Sequence, residues 1–336
     1  MKHIVIELPQ FLNKVSHESM GHPLEDVDLH CLKKMLSRCN SIKNTETQSK
    51  PMFKFVEKGS FNPRWAAKMH QLSGAEQEGY FWFRADPMEL QPDRIAVYLN
   101  GNLHLDLDDK EKKILEDTIN SISGDEEYQY FCISSAEGYI RVKKHEHVKF
   151  TPLYEAIGRD QIQTFPSGVD ALFWKKLLTE IQMQLHGSSI NTQHIRKGSG
   201  LINSLYFWGN CHTQTPLIHA DHIYSNSHII QSIAEENSIE FDPIPNKWDP
   251  ENLTKGTHHI VDTELLWLVK QGLFSKWLEK ICHYEKYLIK PMIKSLKKKK
   301  IDSITLISDS DNQFHFTYKH ALRFWRMTKN ISEFID

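Results

Sequence analysis

The alternation of apolar and polar positions predicts strands and helices interleaved along the whole chain. "HIVIEL" (3–8) predicts a first strand, and an apolar stripe predicts a helix near 29–36. Pro63 opens a short helix running to Leu72, with Asn62 as its cap. "YFWFR" (80–84) reads as an aromatic strand, after which Pro87 and Pro92 predict irregular chain. In "DRIAVYLNGNLHLDLDD" (93–109) two alternating runs flank Asn100-Gly101, which predicts a β-hairpin closed by a type I′ turn. Asp108 and Glu111 predict a capped start for a helix carrying Ile114, Leu115, Ile119 and Ile122. Residues 128–133 and 139–143 predict a second hairpin around Gly138.

Thr151-Pro152 reads as a cap and first-turn proline. The strongest helical spacing spans 170–186, where Phe173, Trp174, Leu177, Leu178, Ile181 and Leu185 share a face. Gly187 is placed to end that helix in the left-handed conformation. A strand over 201–208 follows. Helical spacing returns at 223–237, 263–271 and 276–296, the last kinked by Pro291. "SITLIS" (303–308) and "FHFTY" (314–318) are strands, and a final helix carries Leu322, Phe324 and Trp325. The fold class is therefore α/β or α+β: a mixed sheet flanked by helices, with β-hairpins in the N-terminal half. The expected organisation is one domain over 1–336, with a polar loop at 40–51, a hairpin-rich subregion at 80–150 and an α/β core at 151–330.

Composition changes this picture little. The 336 residues are 40% hydrophobic and 25% charged, as in a soluble globular protein. With 41 basic and 43 acidic residues, the net charge of -2 argues against nucleic acid as a partner. The block Lys297 to Lys300 falls near a helix C-terminus, where cations suit the macrodipole. No apolar run approaches the ~20 residues of a membrane span. Glu7 and Pro9 cut the first apolar run too short for a signal peptide. Five scattered cysteines without a CxxC pair fit a reducing compartment, so a cytoplasmic location is expected.

Candidate chemistry collects in a few places. Arg84 and Asp86 follow an aromatic strand, where a guanidinium suits an anion; the structural counterpart is a loop-fixing ion pair. Gln182 and His186 share a helix face, followed by Asn191 and Arg196. "INSLYFWGNCH" (202–212) sets Asn203 and Ser204 among large apolar residues ending at Trp208, so one of the two shares a face with aromatics and needs a partner. His212, His219, Asp221 and His222, with His258, His259, Asp262 and Glu264 downstream, have metal-ligating chemistry but no compact ligand spacing. In a chain with 19 histidines such proximity is common, and no metal site is assigned. Asp309-Ser310-Asp311-Asn312 reads as a turn or a cation loop. P-loop, GxGxxG, GxSxG and HExxH motifs are lacking, so no catalytic residue is named.

"RADPMELQPDR" (84–94), "TFPSG" (164–168), "EIQMQLH" (180–186), Asn191, Arg196 and "INSLYFWG" (202–209) resemble, in order and spacing, the bacterial RpfE-type regulatory protein family. Its members are often labelled cofactor-independent phosphoglycerate mutase-like. The resemblance spans about 84–209. It implies an alkaline-phosphatase-like α/β fold, in which a Ser or Thr nucleophile and two metal ions handle phosphoryl groups. "NSLYFWG" is similar to the Asn-x-x-Trp-x-Trp-Gly segment of archaeal-type mutases. "ITLISDSDN" (304–312) resembles the late strand that in active members ends in Asp and His metal ligands.

The chain departs from that pattern where chemistry is expected. Asp309-Ser310-Asp311 replaces the Asp-His pair, "IVIELPQF" lacks the Asp ligand after the first strand, and no Asp-Ser nucleophile follows. The resemblance with these departures implies a non-catalytic regulatory or adaptor subunit that binds protein partners and needs no cofactor. The rival is a Mn- or Zn-dependent phosphoryl-transfer enzyme, a phosphoglycerate mutase or phosphatase. A third reading is a sensor holding an anionic small molecule. The ligand-binding residues expected are Arg84, Asp86, Gln182, His186, Asn191, Arg196, Asn203, Ser204 and Trp208.

Overall fold

The computed structural model describes residues 1–13, 27–43, 51–102, 105–122, 127–197, 200–249, 253–308 and 312–334. In chain order the strands are β1 (Lys2–Glu7), β2 (Asn40–Lys43), β3 (Phe81–Pro92), β4 (Val97–Gly101), β5 (Tyr128–Ser134), β6 (Glu137–Val142), β7 (Ser204–Trp208), β8 (His222–Tyr224), β9 (Glu240–Asp242), β10 (Gly256–Val261), β11 (Ser303–Ile307) and β12 (Asn312–Thr317). The chain divides into two compact units, one of residues 1–54 with 216–336, the other of residues 55–215.

The first unit is built on a seven-stranded sheet of order β2-β12-β11-β1-β10-β8-β9. β11, β1, β10, β8 and β9 are parallel, while β12 and β2 add antiparallel at one edge. The sheet is therefore mixed, with helices packed on it, as the apolar pattern predicts. Ile4 and Ile6 of β1 are fully buried beside Ile304, Leu306 and Ile260 of its neighbours. Near-continuous apolar runs of this kind are what a parallel strand covered on both faces requires.

The helical run expected at 276–296 forms in three pieces: helix Phe274–Tyr284, a π-helical turn Glu285–Ile289, and helix Lys290–Lys297. Pro291 has no N–H to give to the carbonyl of Tyr287, four residues back. The N–H of Trp248 takes that carbonyl at 2.9 Å. The proline thus breaks the ladder and frees an acceptor that anchors the preceding Pro-rich segment.

Three expectations in this unit are corrected. The helix expected from Ile223 starts only at His228, because His222–Tyr224 pairs with β10 as a strand. The polar segment at 40–51 begins as β2, paired to β12, and 44–50 lies outside the described residues. The last helix stops at Ala321, leaving Leu322, Phe324 and Trp325 exposed.

The second unit is organised by β3. Its first residues pair with β6, its middle with β7, and its end with β4, all antiparallel. β3 runs through Pro87, opposite Leu205, and reaches Pro92 past a register shift at Glu89/Leu90. The prolines predict irregular chain here, but each pairs with one neighbouring strand, Pro87 with Leu205 of β7 and Pro92 with Val97 of β4, so the missing N–H breaks no ladder on both sides. The hairpin at Asn100-Gly101 is also corrected. β4 ends at Gly101 and pairs back onto β3, so the reversal lies at 93–96, closed by Asp93 N–H to Ala96 O at 2.8 Å.

The β5–β6 hairpin forms, but it turns at Ser135-Ala136 and not around Gly138. Gly138 sits inside β6, where a Cβ would lie 2.4 Å from Ala85 O and 2.7 Å from Tyr130 Oη. The Asp108–Glu111 capping box is present at the start of helix Asp109–Asn120. Helix Ala171–His186 buries Trp174, Leu177, Leu178, Ile181 and Leu185 against Phe83, Ile140 and Phe207. Gly187 keeps a φ of -94° instead of a left-handed one, since the chain passes almost directly into helix Ser189–Lys197. Pro152 caps helix Leu153–Ala156 in place of Thr151.

Candidate functional site

Open α/β sheets place ligand contacts at the carboxyl ends of their parallel strands. In the first unit these ends present Glu7 of β1, Asp262 after β10, Ser225 after β8 and Ser308 after β11. Glu7 is buried; its Oε2 accepts the N–H of Phe53 at 3.1 Å, and His259 Nδ1 lies 3.7 Å from its Oε1. Asp262 is 2% exposed. Its Oδ2 accepts from Tyr284 Oη at 2.6 Å and lies 2.8 Å from Lys280 Nζ; its Oδ1 accepts the N–H of Glu264 at 3.0 Å. Lys280 also pairs with Glu264. Burial disfavours the Lys280 cation, but Asp262 and Glu264 together more than reverse this and hold the ammonium above its ordinary pKa. Burial, reinforced by Asp262, pushes the Tyr284 phenol up. Ser225 donates to Val261 O at 2.7 Å, and Ser308 Oγ accepts the N–H of Leu12 at 3.0 Å. Among the described residues at this edge, Glu7, Asp262, Ser225 and Ser308 each have an internal hydrogen-bond partner. Asp309, Ser310 and Asp311 lie outside the described residues.

The second unit holds a buried charged cluster on β3, β6 and β7. Alternation along β3 sends Arg84 and Asp86 to the same face. Arg84 Nε donates to Asp86 Oδ1 at 2.9 Å, Nη1 to Glu137 Oε1 at 3.3 Å, and Nη2 to Ala136 O at 3.1 Å. Trp208 Nε1 and Gly138 N donate to the two Asp86 oxygens at 2.7 and 3.1 Å. Tyr139 Oη donates to Glu137 at 2.5 Å, and His70 Nε2 lies 3.3 Å from the same carboxylate oxygen. The guanidinium carbon sits 5.2 and 5.5 Å from the Tyr139 and Trp208 ring centres. Burial works against the Arg84 cation, and Asp86, Tyr139 and Glu137 together outweigh it, raising its pKa. Glu137, Tyr139 and His70 are not among the residues the sequence singles out. The one local signal is the acidic residue before the hairpin glycine.

The other expected residues fall in separate places. Asn203 brackets the Leu90 backbone: Oδ1 accepts its N–H at 2.7 Å and Nδ2 donates to its carbonyl at 2.8 Å. Asn191 Nδ2 donates to Leu185 O and Ile202 O, while its Oδ1 accepts the N–H of Ile202. Gln182 Nε2 donates to the buried Ser204 Oγ at 3.2 Å. His186 is exposed, and the side chain of Arg196 lies outside the described residues. Arg84, Asp86 and Trp208 meet in one cluster, Gln182 and Ser204 meet in another place, and Asn191 and Asn203 each tie down backbone.

Of the histidine-rich constellation, His222, Tyr224 and His258 stack across β8 and β10. His222 Nε2 lies 2.9 Å from Asp242 Oδ2, and its Nδ1 3.3 Å from Glu240 Oε2. An open pocket of about 470 Å³ is lined here by His222, Tyr224, Asp242, Lys247, Trp248 and Asp249, with others. Trp248 Nε1 is buried without a hydrogen-bond partner. Asp221 Oδ2 accepts the N–H of Thr257, and His258 Nε2 donates to Thr254 O. His212 belongs to the second unit.

No protein-family model and no curated protein matches the chain. Solved structures similar to it include these two. One is the cofactor-independent phosphoglycerate mutase from Thermoplasma acidophilum DSM 1728, at 13% identity, 94% coverage of this chain, 90% of that one, and a TM-score of 0.38. The other is the PH0037 protein from Pyrococcus horikoshii, at 11% identity, 94% and 86% coverage, and a TM-score of 0.48. Among the described residues no helix is long and apolar enough to cross a membrane.

Proposed function

We propose that this chain is a non-catalytic, phosphoglycerate mutase-like protein that acts by binding another protein, as a regulatory or adaptor subunit. The observation that carries this reading is Lys280, held between Asp262 and Glu264 at the carboxyl edge of the parallel strands. A two-metal phosphoryl-transfer site needs carboxylates there with free lone pairs. Asp262 spends its oxygens on Lys280, Tyr284 and the Glu264 amide, so a fixed ammonium supplies the positive charge. Protein binding is favoured by Phe324, Trp325 and Met327, which stand 67–87% exposed on one short segment. Arg323 and Arg326 hold that segment by donating to the carbonyls of Arg38 and Cys39.

The purified chain is expected to turn over neither phosphoglycerate nor a generic phosphate ester with added Mn or Zn. It is expected to elute with its partner as a defined complex that Phe324→Ser and Trp325→Ser disrupt. Metal-dependent turnover abolished by Asp262→Asn would refute this and establish the phosphoryl-transfer reading instead.

A second reading, small-molecule sensing, draws support from the His222–Trp248 pocket. Arg84 and Asn203 direct donors to internal acceptors, so this reading is built on the pocket instead. Asp242 and Asp249 in the pocket lining favour a neutral or cationic aromatic ligand. A thermal-shift screen, repeated on Trp248→Ala, separates this reading from the first.

A further inference from the structure

We propose that Glu146, His147 and Asp170 form a binding site for a divalent transition metal of the zinc type. After β6 the chain turns sharply, with His145 at a φ of +70°, and delivers Glu146 and His147 beside Asp170, the residue leading into helix Ala171–His186. Glu146 Oε1 lies 3.5 Å from His147 Nδ1, which lies 3.7 Å from Asp170 Oδ2. The three candidate ligand atoms are all within 4.8 Å of one another. Zinc bonds to nitrogen and oxygen of about 2.0–2.2 Å set a tetrahedral edge of about 3.3–3.6 Å. The two measured separations are within a few tenths of an ångström of that edge.

Charge supplies an independent reason. The side chains of Glu146 and Asp170 are only 19% and 18% exposed. Among the described residues their ionic partners are the imidazoles of His145 and His147, with neither Lys nor Arg in contact. Two carboxylates held largely out of water need a cation nearby, and no lysine or arginine among the described residues supplies one. A divalent ion would neutralise both carboxylates and take the free lone pair of His147. The N-terminus of the following helix opposes a cation, an effect small beside two carboxylates.

The surroundings hold these groups in place. Asp170 Oδ2 accepts the N–H of His147 at 2.8 Å, and Trp174 Nε1 donates to His145 O at 2.9 Å. His145 stacks on Phe173 with ring centres 4.0 Å apart, its Nδ1 3.4 Å from Asp170 Oδ1 and its Nε2 3.0 Å from Glu127. It is placed to orient Asp170 from outside the ligand set, as partners of metal ligands do. His212, whose ring centre lies 6.2 Å from that of His147, is the nearest further imidazole for a fourth position otherwise taken by water.

The test uses the full chain, stripped with chelator, incubated with zinc and freed of excess before elemental analysis. Cobalt serves as the spectroscopic probe, because a tetrahedral N/O site gives it visible d–d absorption. The parent is expected to retain about one equivalent of zinc. His147→Ala and Glu146→Gln are expected to weaken retention about tenfold or more and to abolish the cobalt bands. His147 is 69% exposed, so its replacement leaves the fold intact, checked by the melting temperature in chelator. Zinc should raise that temperature for the parent and not for His147→Ala. Zinc retention equal in parent and both variants, or none in the parent, overturns the assignment.

Discussion

Replacing Asp86 by Ala removes the acceptor on which the β3–β6–β7 junction converges. Asp86 is 0% exposed and receives Arg84 Nε, Gly138 N and Trp208 Nε1 within 2.7–3.1 Å. Truncation leaves the Gly138 and Trp208 N–H groups buried without acceptors, at roughly 1–3 kcal/mol each. It also strips Arg84 of its closest counter-charge. Breaking a buried pair costs about 3–5 kcal/mol, and the low end applies because Glu137 and Ala136 O still accept from the guanidinium. These effects overlap within one network, so a total of about 4–6 kcal/mol is expected. That is comparable with the whole stability of a domain.

Hydrogen exchange read by mass spectrometry on β3, β6 and β7 peptides isolates the second unit from the first. Protection in those strands should collapse in Asp86→Ala. In Arg84→Met/Asp86→Leu it should return in part, because the unpaired guanidinium charge is gone while the Gly138 and Trp208 N–H groups still lack the Asp86 acceptor and Glu137 loses its cation. A single variant that loses less than ~1 kcal/mol, or a double variant as unstable as the single, would refute the view that the pair is a mutually dependent structural unit.

Asn203→Ala deletes both bonds to the Leu90 backbone and should cost about 2 kcal/mol, seen as a lower urea midpoint of tryptophan fluorescence. Gly138→Ala drives a Cβ against the Ala85 carbonyl and should destabilise the second unit by about 1–3 kcal/mol in the same assay. Lys280→Met leaves the buried Asp262 without its cation and should lower the urea midpoint of the first unit, at about 3–5 kcal/mol. Burial lowers the pKa of His258 below 6.5, the Thr254 carbonyl opposing and His222 assisting. The unfolded chain then binds a proton that the folded chain refuses, so this contribution is complete above pH 6.5 and is lost as pH falls towards the folded pKa. The slope is up to about 1.4 kcal/mol per pH unit. His258→Asn should flatten the pH dependence of first-unit hydrogen exchange between pH 5 and 6.5, where the parent is expected to lose protection.

Features that depend on neighbours along the chain are legible before folding. The 3.6-residue spacing of Trp174, Leu177, Leu178, Ile181 and Leu185 marked both a helix and its buried face. The Asp108–Glu111 box marked a helix start, and the β5–β6 hairpin followed from its alternation. Polar residues among the aromatics of "INSLYFWG" need partners, but those partners, Leu90 for Asn203 and Gln182 for Ser204, lie 113 and 22 residues away. Only the tertiary structure decided that Asn100-Gly101 ends a strand instead of turning a hairpin, since β4 gains its bonds from β3. It also decided that Arg84 faces Glu137, 53 residues on, and that Asp262 faces Lys280. Periodicity specifies which face of an element is apolar, because that depends on backbone geometry alone. Which elements meet, and which buried charges neutralise each other, depends on register and burial across the fold, and these are settled only when distant segments leave water together.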